Sequence, residues 1–212
     1  MTDFNRSKHI YSSPDFEEII KDTIRFFNGT PVHTVPTPER FHGTGVYAIY
    51  SISKRGIYKN FHEINRTSFD LPIYIGKAVP KGWRQSRVAT DEAVKNYELY
   101  TRIKQHGRSL ELGEGLDVDD FRCRFMILEG RVSPLIGTVE AALIRKYRPI
   151  WNTLIDGFGN HDPGSGRYDQ ARSGWDICHP GRGWAEKCKG VAKPKKNLLA
   201  SIQKFMDELM DK

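Results

Sequence analysis

The chain has 212 residues, which is enough to bury a hydrophobic core without disulfide bonds. Lysine and arginine (33) outnumber aspartate and glutamate (26), and the net charge of +7 favours an anionic partner. The three cysteines form no C-x-x-C pair, and the chain shows neither an apolar signal segment nor a membrane-length apolar run. We therefore expect a cytoplasmic protein with reduced thiols, and no membrane partner.

A helix and a strand are predicted first, joined by a proline-rich connector over 29–42. In residues 12–27 serine and proline precede apolar residues that recur at helical spacing. Residues 43–52, GTGVYAIYSI, alternate and carry the aromatic and branched side chains typical of a strand. The sequence thus predicts an N-terminal helical arm over 1–42 that leads into a β-strand.

A basic polar stretch, 53–70, separates this strand from the next and is too long for a tight hairpin. In the next strand, LPIYIGKA, alternation predicts Ile73 and Ile75 on one face, with Tyr74 and Gly76 on the other. Glycine at this position predicts room for a backbone or a phosphate to approach that face.

Four segments follow in chain order: a basic loop at 79–92, a helix at 91–110, a strand at 119–130 and a helix at 137–149. The last of these helices is predicted to be capped by Thr138 and stopped by Pro149. Residues 156–190 are rich in Gly, Pro, His, Arg and Trp without periodicity, and 194–212 predict an amphipathic helix. We therefore predict an α+β fold, with a small three-stranded antiparallel sheet flanked by helices, an N-terminal helical arm, inserted basic loops and a C-terminal extension.

Short motifs on these elements occur in a distinctive order. In that order they are GVY at 45–47, YIG at 74–76, RIKQH with Arg102 and His106 one helical turn apart, Glu140, and Asn152 after RPIW. Together they resemble the GIY-YIG nuclease superfamily over about residues 43–153. A literal GIY at 56–58 lies in the polar stretch, outside any predicted strand, and is interpreted as a coincidence.

The resemblance implies a catalytic site of six residues: Tyr47, Tyr74, Arg102, His106, Glu140 and Asn152. Tyr47 is implied as a general base or proton relay that His106 assists, because a phenol is a poor base on its own. Tyr74 would orient the water or the phosphate, and Arg102 would bind phosphate oxygens. Asn152 would hold Tyr74 or the metal-site geometry through hydrogen bonds.

The resemblance further implies one divalent cation per site. Glu140 is the one acidic residue among the six, and we expect it in the first turn of its helix. A hard oxygen ligand and a phosphate substrate favour Mg²⁺, with Mn²⁺ as a substitute. No nucleotide cofactor is expected.

Each of these residues also has a purely structural interpretation. Strand tyrosines are commonly packing residues, and an Arg–His pair on a helix is commonly a solvated face. A glutamate near a helix start stabilises the helix dipole, and an asparagine after a helix is typical of a turn. The ordered set, rather than any single residue, favours the nuclease interpretation.

Basic residues outside this set are predicted to contact DNA: Lys54, Arg55, Lys77, Lys81, Arg84, Arg87, Arg167, Arg172 and Arg182. The arginines of the C-terminal segment lie among glycines, and arginine recognises guanine through two hydrogen bonds. Two alternatives for that segment are a packed surface loop and a zinc site built from His161, Cys178, His179 and Cys188. The spacing of those four matches no common zinc arrangement.

The segments GVYAIY, PIYIGKA, RIKQHG, GTVEAALI, PIWN, NHDPG and HPGRGW are similar to the Type II restriction branch that cuts CCGCGG. The similarity implies metal-dependent hydrolysis of double-stranded DNA that leaves 5′-phosphate and 3′-hydroxyl ends. It implies a prokaryotic homodimer, in which 43–153 is the nuclease core and 154–212 a DNA-contacting extension packed on it. Two alternatives remain: a structure-selective repair or recombination nuclease of the same fold, and a non-catalytic DNA-binding protein.

Overall fold

The computed structural model describes residues 4–80, 82–83 and 96–210. Its strands are β1 (Val32–Thr34), β2 (Gly45–Ser51), β3 (Tyr74–Ala78) and β4 (Phe121–Ile127). Its helices are α1 (Pro14–Gly29), α2 (Asn60–Asn65), α3 (Glu98–Leu112), α4 (Ile136–Tyr147), α5 (Ile150–Thr153), α6 (Gly174–Cys178) and α7 (Lys195–Met210). The strands form one antiparallel sheet in the order β1-β4-β2-β3. This is the predicted α+β architecture. Within the described ranges, no helix combines the length and apolarity needed to cross a bilayer.

The sheet is covered on both faces. One face, with Tyr47 and Ile49, packs in a cluster with α3, α7 and the aromatic side chains of the C-terminal segment. The other face, with Val46 and Tyr50, packs against α1 and α4. Every residue of β2 is buried as a result, and a strand buried on both faces is expected to be apolar throughout.

The sheet has four strands rather than the predicted three. The additional strand, β1, lies in the connector at 29–42 and pairs Val32 with Arg124 and Thr34 with Arg122 of β4. At three residues it is too short to show alternation, and it lies between Pro31 and Pro36, which are typical of a loop.

The predicted common face for Ile73 and Ile75 is wrong. Ile73 packs in the cluster that contains Tyr47, whereas Ile75 packs in the cluster with Val46 on the opposite face. The reason is that β3 begins at Tyr74, so Ile73 precedes the regular strand.

The start of α4 also differs from the prediction. A 3-10 turn over Gly130–Leu135 continues directly into the helix at Ile136, so Thr138 already lies inside the helix and does not cap it. Glu140 therefore lies in the second turn instead of the first. The helix ends at Tyr147, just before Pro149, as predicted.

The basic stretch 53–70 is folded onto the core. Tyr58 and Phe61 are buried, and the side-chain amide of Asn65 donates to the carbonyl oxygens of Ser51 (3.0 Å) and Leu71 (2.8 Å). Asn65 thereby holds together the two ends of the insertion that connects β2 to β3. The literal GIY is a 3-10 turn outside the sheet.

Candidate active site

A buried tyrosine–histidine pair lies at the centre of the site. Tyr47 projects from the middle of β2 toward α3, and its hydroxyl lies 2.6 Å from Nε2 of His106. Tyr47 is 0% exposed and His106 is 2% exposed. The side chains are held in place because the strand and the helix pack directly on each other.

The environment keeps both members of this pair uncharged. Burial raises the pKa of Tyr47 well above its ordinary value, and the nearby Arg102 only partly opposes this. Burial, together with the charge of Arg102, lowers the pKa of His106 well below its ordinary value. A neutral phenol and a neutral imidazole can share this hydrogen bond in two ways, and the Tyr47 O–H donates to Nε2 in the tautomer that carries its proton on Nδ1.

Gly76 makes space for the hydroxyl of Tyr47. The two residues are directly opposed in the β2–β3 register. A Cβ atom at Gly76 would lie 2.6 Å from Cζ of Tyr47, closer still to its hydroxyl, and 2.9 Å from Cε1 of Tyr74. The space predicted for a backbone or a phosphate is thus occupied by the buried tyrosine itself.

Tyr74 lies between the buried pair and the surface. It is half-buried at the start of β3, and its ring is 6.2 Å from that of Tyr47 and 5.2 Å from that of His106. Its hydroxyl lies against Gly159, where an added Cβ atom would be 2.5 Å from the oxygen. Burial raises the pKa of Tyr74, while the charge of Arg102 lowers it.

Two opposite charges act on Tyr74 from different helices. Arg102 is half-buried on α3, and its Nη2 donates to the carbonyl oxygen of Gly159 at 3.4 Å. Glu140 on α4 also acts electrostatically on Tyr74, raising its pKa. The carboxylate of Glu140 accepts a hydrogen bond from the ammonium group of Lys77 at 2.6 Å.

Asn152 fixes the edge of the sheet beside the site. Its Oδ1 accepts from the backbone N–H of Ile75, and its Nδ2 donates to the carbonyl oxygen of the same residue, both at 2.8 Å. Since β3 is an edge strand, these two backbone groups have no strand partner on that side. Asn152 thus supports Tyr74 and Gly76 through the backbone of Ile75, which lies between them.

The structure therefore brings four of the six predicted residues into one cluster: Tyr47, Tyr74, Arg102 and His106. Glu140 acts on this cluster electrostatically by raising the pKa of Tyr74, and Asn152 is hydrogen-bonded to the backbone of Ile75, which follows Tyr74. Among the described residues, no group of three or more His, Cys, Asp or Glu side chains is placed to hold a metal ion. A single carboxylate such as Glu140 fits the expected Mg²⁺, because this ion keeps several waters and binds substrate phosphates.

Arg182 does not have the predicted DNA-contacting role. It is 4% exposed and forms a buried ion pair with Asp176, with Nε 2.7 Å from Oδ1 and Nη2 2.8 Å from Oδ2. Its guanidinium group is directed into the protein and cannot reach a base. A charged arginine is expected at the surface, but here the buried carboxylate of Asp176 neutralises the charge of Arg182 and allows its burial.

The other basic residues are spread over the surface. Lys54 and Arg167 are exposed, Arg55 is exposed and 3.9 Å from Asp117, and Arg172 is half-buried. Lys77 contacts Glu140 and so belongs to the site. Three further predicted residues, Lys81, Arg84 and Arg87, lie outside the described residues.

The alternative zinc site is not formed. Both ring nitrogens of His179 are engaged, Nε2 with the hydroxyl of Tyr58 at 2.9 Å and Nδ1 with the carbonyl oxygen of Glu114 at 3.0 Å. The Tyr58 oxygen also accepts from Nε1 of Trp151 at 2.9 Å. His179 is therefore part of a buried hydrogen-bond chain, which burial keeps neutral by lowering its pKa to about 4.

Sequence reasoning missed the loop that closes the site. Phe158 stacks on the ring of His106 (4.5 Å, 19°) and meets Tyr74 edge-on (4.9 Å, 76°). Gly159 contacts Tyr74 and accepts from Arg102. The segment GFGN at 157–160 contains no acid, base or nucleophile, so its composition does not point to the active site.

A family model described as the Eco29kI GIY-YIG domain matches residues 39–206. The match covers most of the chain, from the connector before β2 into α7, and includes all six predicted catalytic residues. Among the curated proteins, none matches the sequence.

Proposed function

The chain belongs to the Eco29kI GIY-YIG family, a family of restriction endonucleases, and from this premise we propose that it is a Type II restriction endonuclease. The proposed substrate is double-stranded DNA with a short GC-rich palindrome, CCGCGG by the similarity of its motifs. The proposed products carry 5′-phosphate and 3′-hydroxyl ends.

The observation that carries this proposal is the buried 2.6 Å hydrogen bond between Tyr47 and His106. In the proposed reaction the attacking water gives a proton to the Tyr47 oxygen while Tyr47 passes its own proton to Nε2 of His106. Neutral His106 offers the Nε2 lone pair to that proton, and the negative charge of the bound phosphate would offset the burial and the Arg102 charge that lower the pKa of His106, so Tyr47 never has to exist as a free phenolate. The raised pKa of Tyr47 makes this concerted route the favourable one.

Arg102 and Tyr74 hold the scissile phosphate in this scheme. The guanidinium group of Arg102 offers N–H groups to phosphate oxygens as negative charge develops in the transition state. Tyr74 packs beside the buried pair, with its ring 6.2 Å from that of Tyr47, and orients the phosphate relative to the attacking water. Asn152 keeps Tyr74 in place through the backbone of β3.

Glu140 is the proposed ligand of the catalytic metal. Its side chain is 18% exposed and already faces a cation, the ammonium group of Lys77 at 2.6 Å. Bound Mg²⁺, or Mn²⁺ in its place, would neutralise charge on the phosphate and stabilise the leaving oxygen. Lys77 would then contact the phosphate instead.

Recognition of a palindrome favours a two-fold homodimer, in which each protomer cuts one strand. Phe16, Ile19 and Phe26 on α1 are 47%, 45% and 62% exposed, and such apolar side chains can contribute to a protomer contact. Exposed basic residues such as Lys54 and Arg167 would bind phosphates, so affinity for DNA should fall steeply with salt concentration.

Incubation of the protein with plasmid DNA and Mg²⁺, followed by electrophoresis, tests the proposal. Discrete fragments are expected. Selective nicking of branched DNA would instead indicate a structure-selective repair or recombination nuclease, and failure to cut with either Mg²⁺ or Mn²⁺ would indicate a DNA-binding protein without activity. No described feature favours either alternative over a restriction endonuclease.

A further inference from the structure

The guanidinium group of Arg182 uses all of its hydrogen-bond donors inside the protein. Besides the two bonds to Asp176, Nη1 donates to the carbonyl oxygens of Phe158 (3.0 Å) and Asn160 (3.1 Å), and Nη2 donates to that of Gly157 (2.8 Å). An arginine has five N–H groups, and here five bonds account for them. The group is thus a fully satisfied buried junction.

Two tryptophan rings enclose this junction. The guanidinium carbon lies 4.5 Å from the ring centroid of Trp175 and 4.9 Å from that of Trp184. Cation–π contacts of this kind strengthen when water is excluded, and Trp175 is itself fully buried. The position of Arg182 is therefore tightly defined, as is that of the three carbonyl groups that it binds.

Those three carbonyl groups belong to the loop 157–160, which closes the active site. The ring of Phe158 covers one face of His106, Gly159 abuts the hydroxyl of Tyr74, and the Gly159 carbonyl accepts from Arg102. The loop has no regular secondary structure to hold it. Its bonds to Arg182 are consequently the main polar contacts that connect it to the rest of the C-terminal segment.

We propose that Arg182, paired with Asp176, is a positioning residue of the active site. It holds the loop 157–160 so that Phe158 and Gly159 fix the orientations of His106 and Tyr74. Arg182 itself touches neither DNA nor the reacting atoms. This inference rests on the proposed nuclease function of the same site, and it assigns a task to the HPGRGW segment other than base recognition.

The planar fork of arginine is required for this task. A lysine at the same position would keep the charge but has three donors on one tetrahedral nitrogen, which cannot serve the carboxylate and three divergent carbonyl groups together. The conservative variant Arg182→Lys should therefore release the loop while largely retaining the ion pair. Asp176→Asn retains the acceptor shape but removes the charge, and should have the same effect.

Arg124 supplies a matched control. It is also buried (7% exposed), donates from Nε to the carbonyl oxygen of Thr30 at 3.1 Å and lies over the ring of Tyr50. Tyr50 belongs to the cluster on the opposite face of the sheet from Tyr47. Arg124→Lys thus makes the same replacement at another buried arginine but leaves the loop 157–160 alone.

The experiment compares these variants in two measurements on the full-length protein. The first is the NMR spectrum of the His106 imidazole without DNA, which reports its hydrogen bond and the ring current of Phe158. The second is single-turnover cleavage of a plasmid at saturating enzyme, together with DNA affinity.

Arg182→Lys and Asp176→Asn should shift the His106 signals and slow cleavage by about 10- to 100-fold, as expected for a misplacement of about 1 Å. Their affinity for DNA should stay within about threefold of wild type. Arg124→Lys should leave the His106 signals unchanged and the rate within about twofold.

Phe158→Leu keeps the test informative if the ion-pair variants do not fold, because it alters the loop directly. It should shift the same signals, and combined with Arg182→Lys it should add little further loss of rate. Unchanged His106 signals in folded Arg182→Lys, or a loss of DNA affinity instead of rate, would overturn the proposal. If the wild-type protein does not cut DNA, the proposed function fails, while the NMR comparison still decides whether Arg182 positions His106.

Discussion

Replacing Gly76 with alanine tests whether the hydroxyl of Tyr47 must occupy its observed position. The added Cβ atom would lie 2.6 Å from Cζ of Tyr47, and an ordinary contact needs 3.4 Å, so the ring must shift by about 0.8 Å. Tyr47 is fully buried, and its hydroxyl is already 2.6 Å from Nε2 of His106, so the ring can only slide sideways. A shift of this size misaligns the hydrogen bond on which the proton transfer depends.

Two consequences are expected for Gly76→Ala. Overpacking of the buried site should lower the free energy of unfolding by about 1–3 kcal/mol. Misplacement of the proton relay should reduce the single-turnover cleavage rate by about 100-fold. DNA affinity should change little, because Gly76 is buried behind Tyr74 and contributes no charge.

Urea unfolding, DNA binding and single-turnover cleavage measure these three quantities. Gly29→Ala is the control, since an added Cβ at this helical position meets nothing within 4 Å. It should raise stability slightly and leave cleavage unaffected. A Gly76→Ala enzyme that folds and cuts at the wild-type rate would refute the view that this hydroxyl position matters for catalysis.

Three further predictions concern single side chains. Glu140→Gln should lower the cleavage rate by about 10³-fold while DNA binding persists in a gel-shift assay, and robust cutting by this variant would exclude Glu140 as the metal ligand. Tyr47→Phe, which removes only the hydroxyl, should slow single-turnover cleavage by about 10²- to 10⁴-fold, and near-normal activity would rule out a relay role. His179 is buried neutral with its pKa lowered to about 4 from 6.5, so between these values the unfolded state binds more protons than the folded state. The free energy of unfolding should accordingly drop by roughly 3 kcal/mol because of this residue as pH falls from 6.5 to 4. His179→Gln should show a correspondingly shallower pH dependence in urea unfolding, and an unaltered profile would contradict this assignment.

The core of the fold and the location of the tyrosines were predictable because they depend on local patterns. Alternation in GVYAIY and helical spacing in RIKQH each depend on neighbours a few residues away, and the structure has β2 and α3 in these segments. The contact between Tyr47 and Gly76 then follows from the antiparallel register of β2 and β3. The alternating pattern did not predict the face of the sheet on which Ile73 packs, because that residue lies one position before the strand begins.

The supporting contacts of the site were not predictable from local patterns. Arg182 is a charged residue in a glycine-rich segment, so the sequence predicts that it is exposed. Only the fold brings it to Asp176 and to carbonyl groups more than twenty residues earlier in the chain. Tyr58 similarly lies in a polar stretch, yet it meets His179, which is 121 residues away. Burial of a polar side chain depends on such long-range partners, and a single sequence does not record them.

Mapping the ends of DNA fragments tests the central claim most directly. A plasmid cut by the wild-type protein in the presence of Mg²⁺, with the Glu140→Gln variant in parallel, would be sequenced at every terminus. We predict that all termini fall at one short GC-rich palindrome and carry 5′-phosphates, and that the variant produces none of them. Termini scattered over unrelated sequences, or equal cutting by the variant, would contradict sequence-specific hydrolysis by this site.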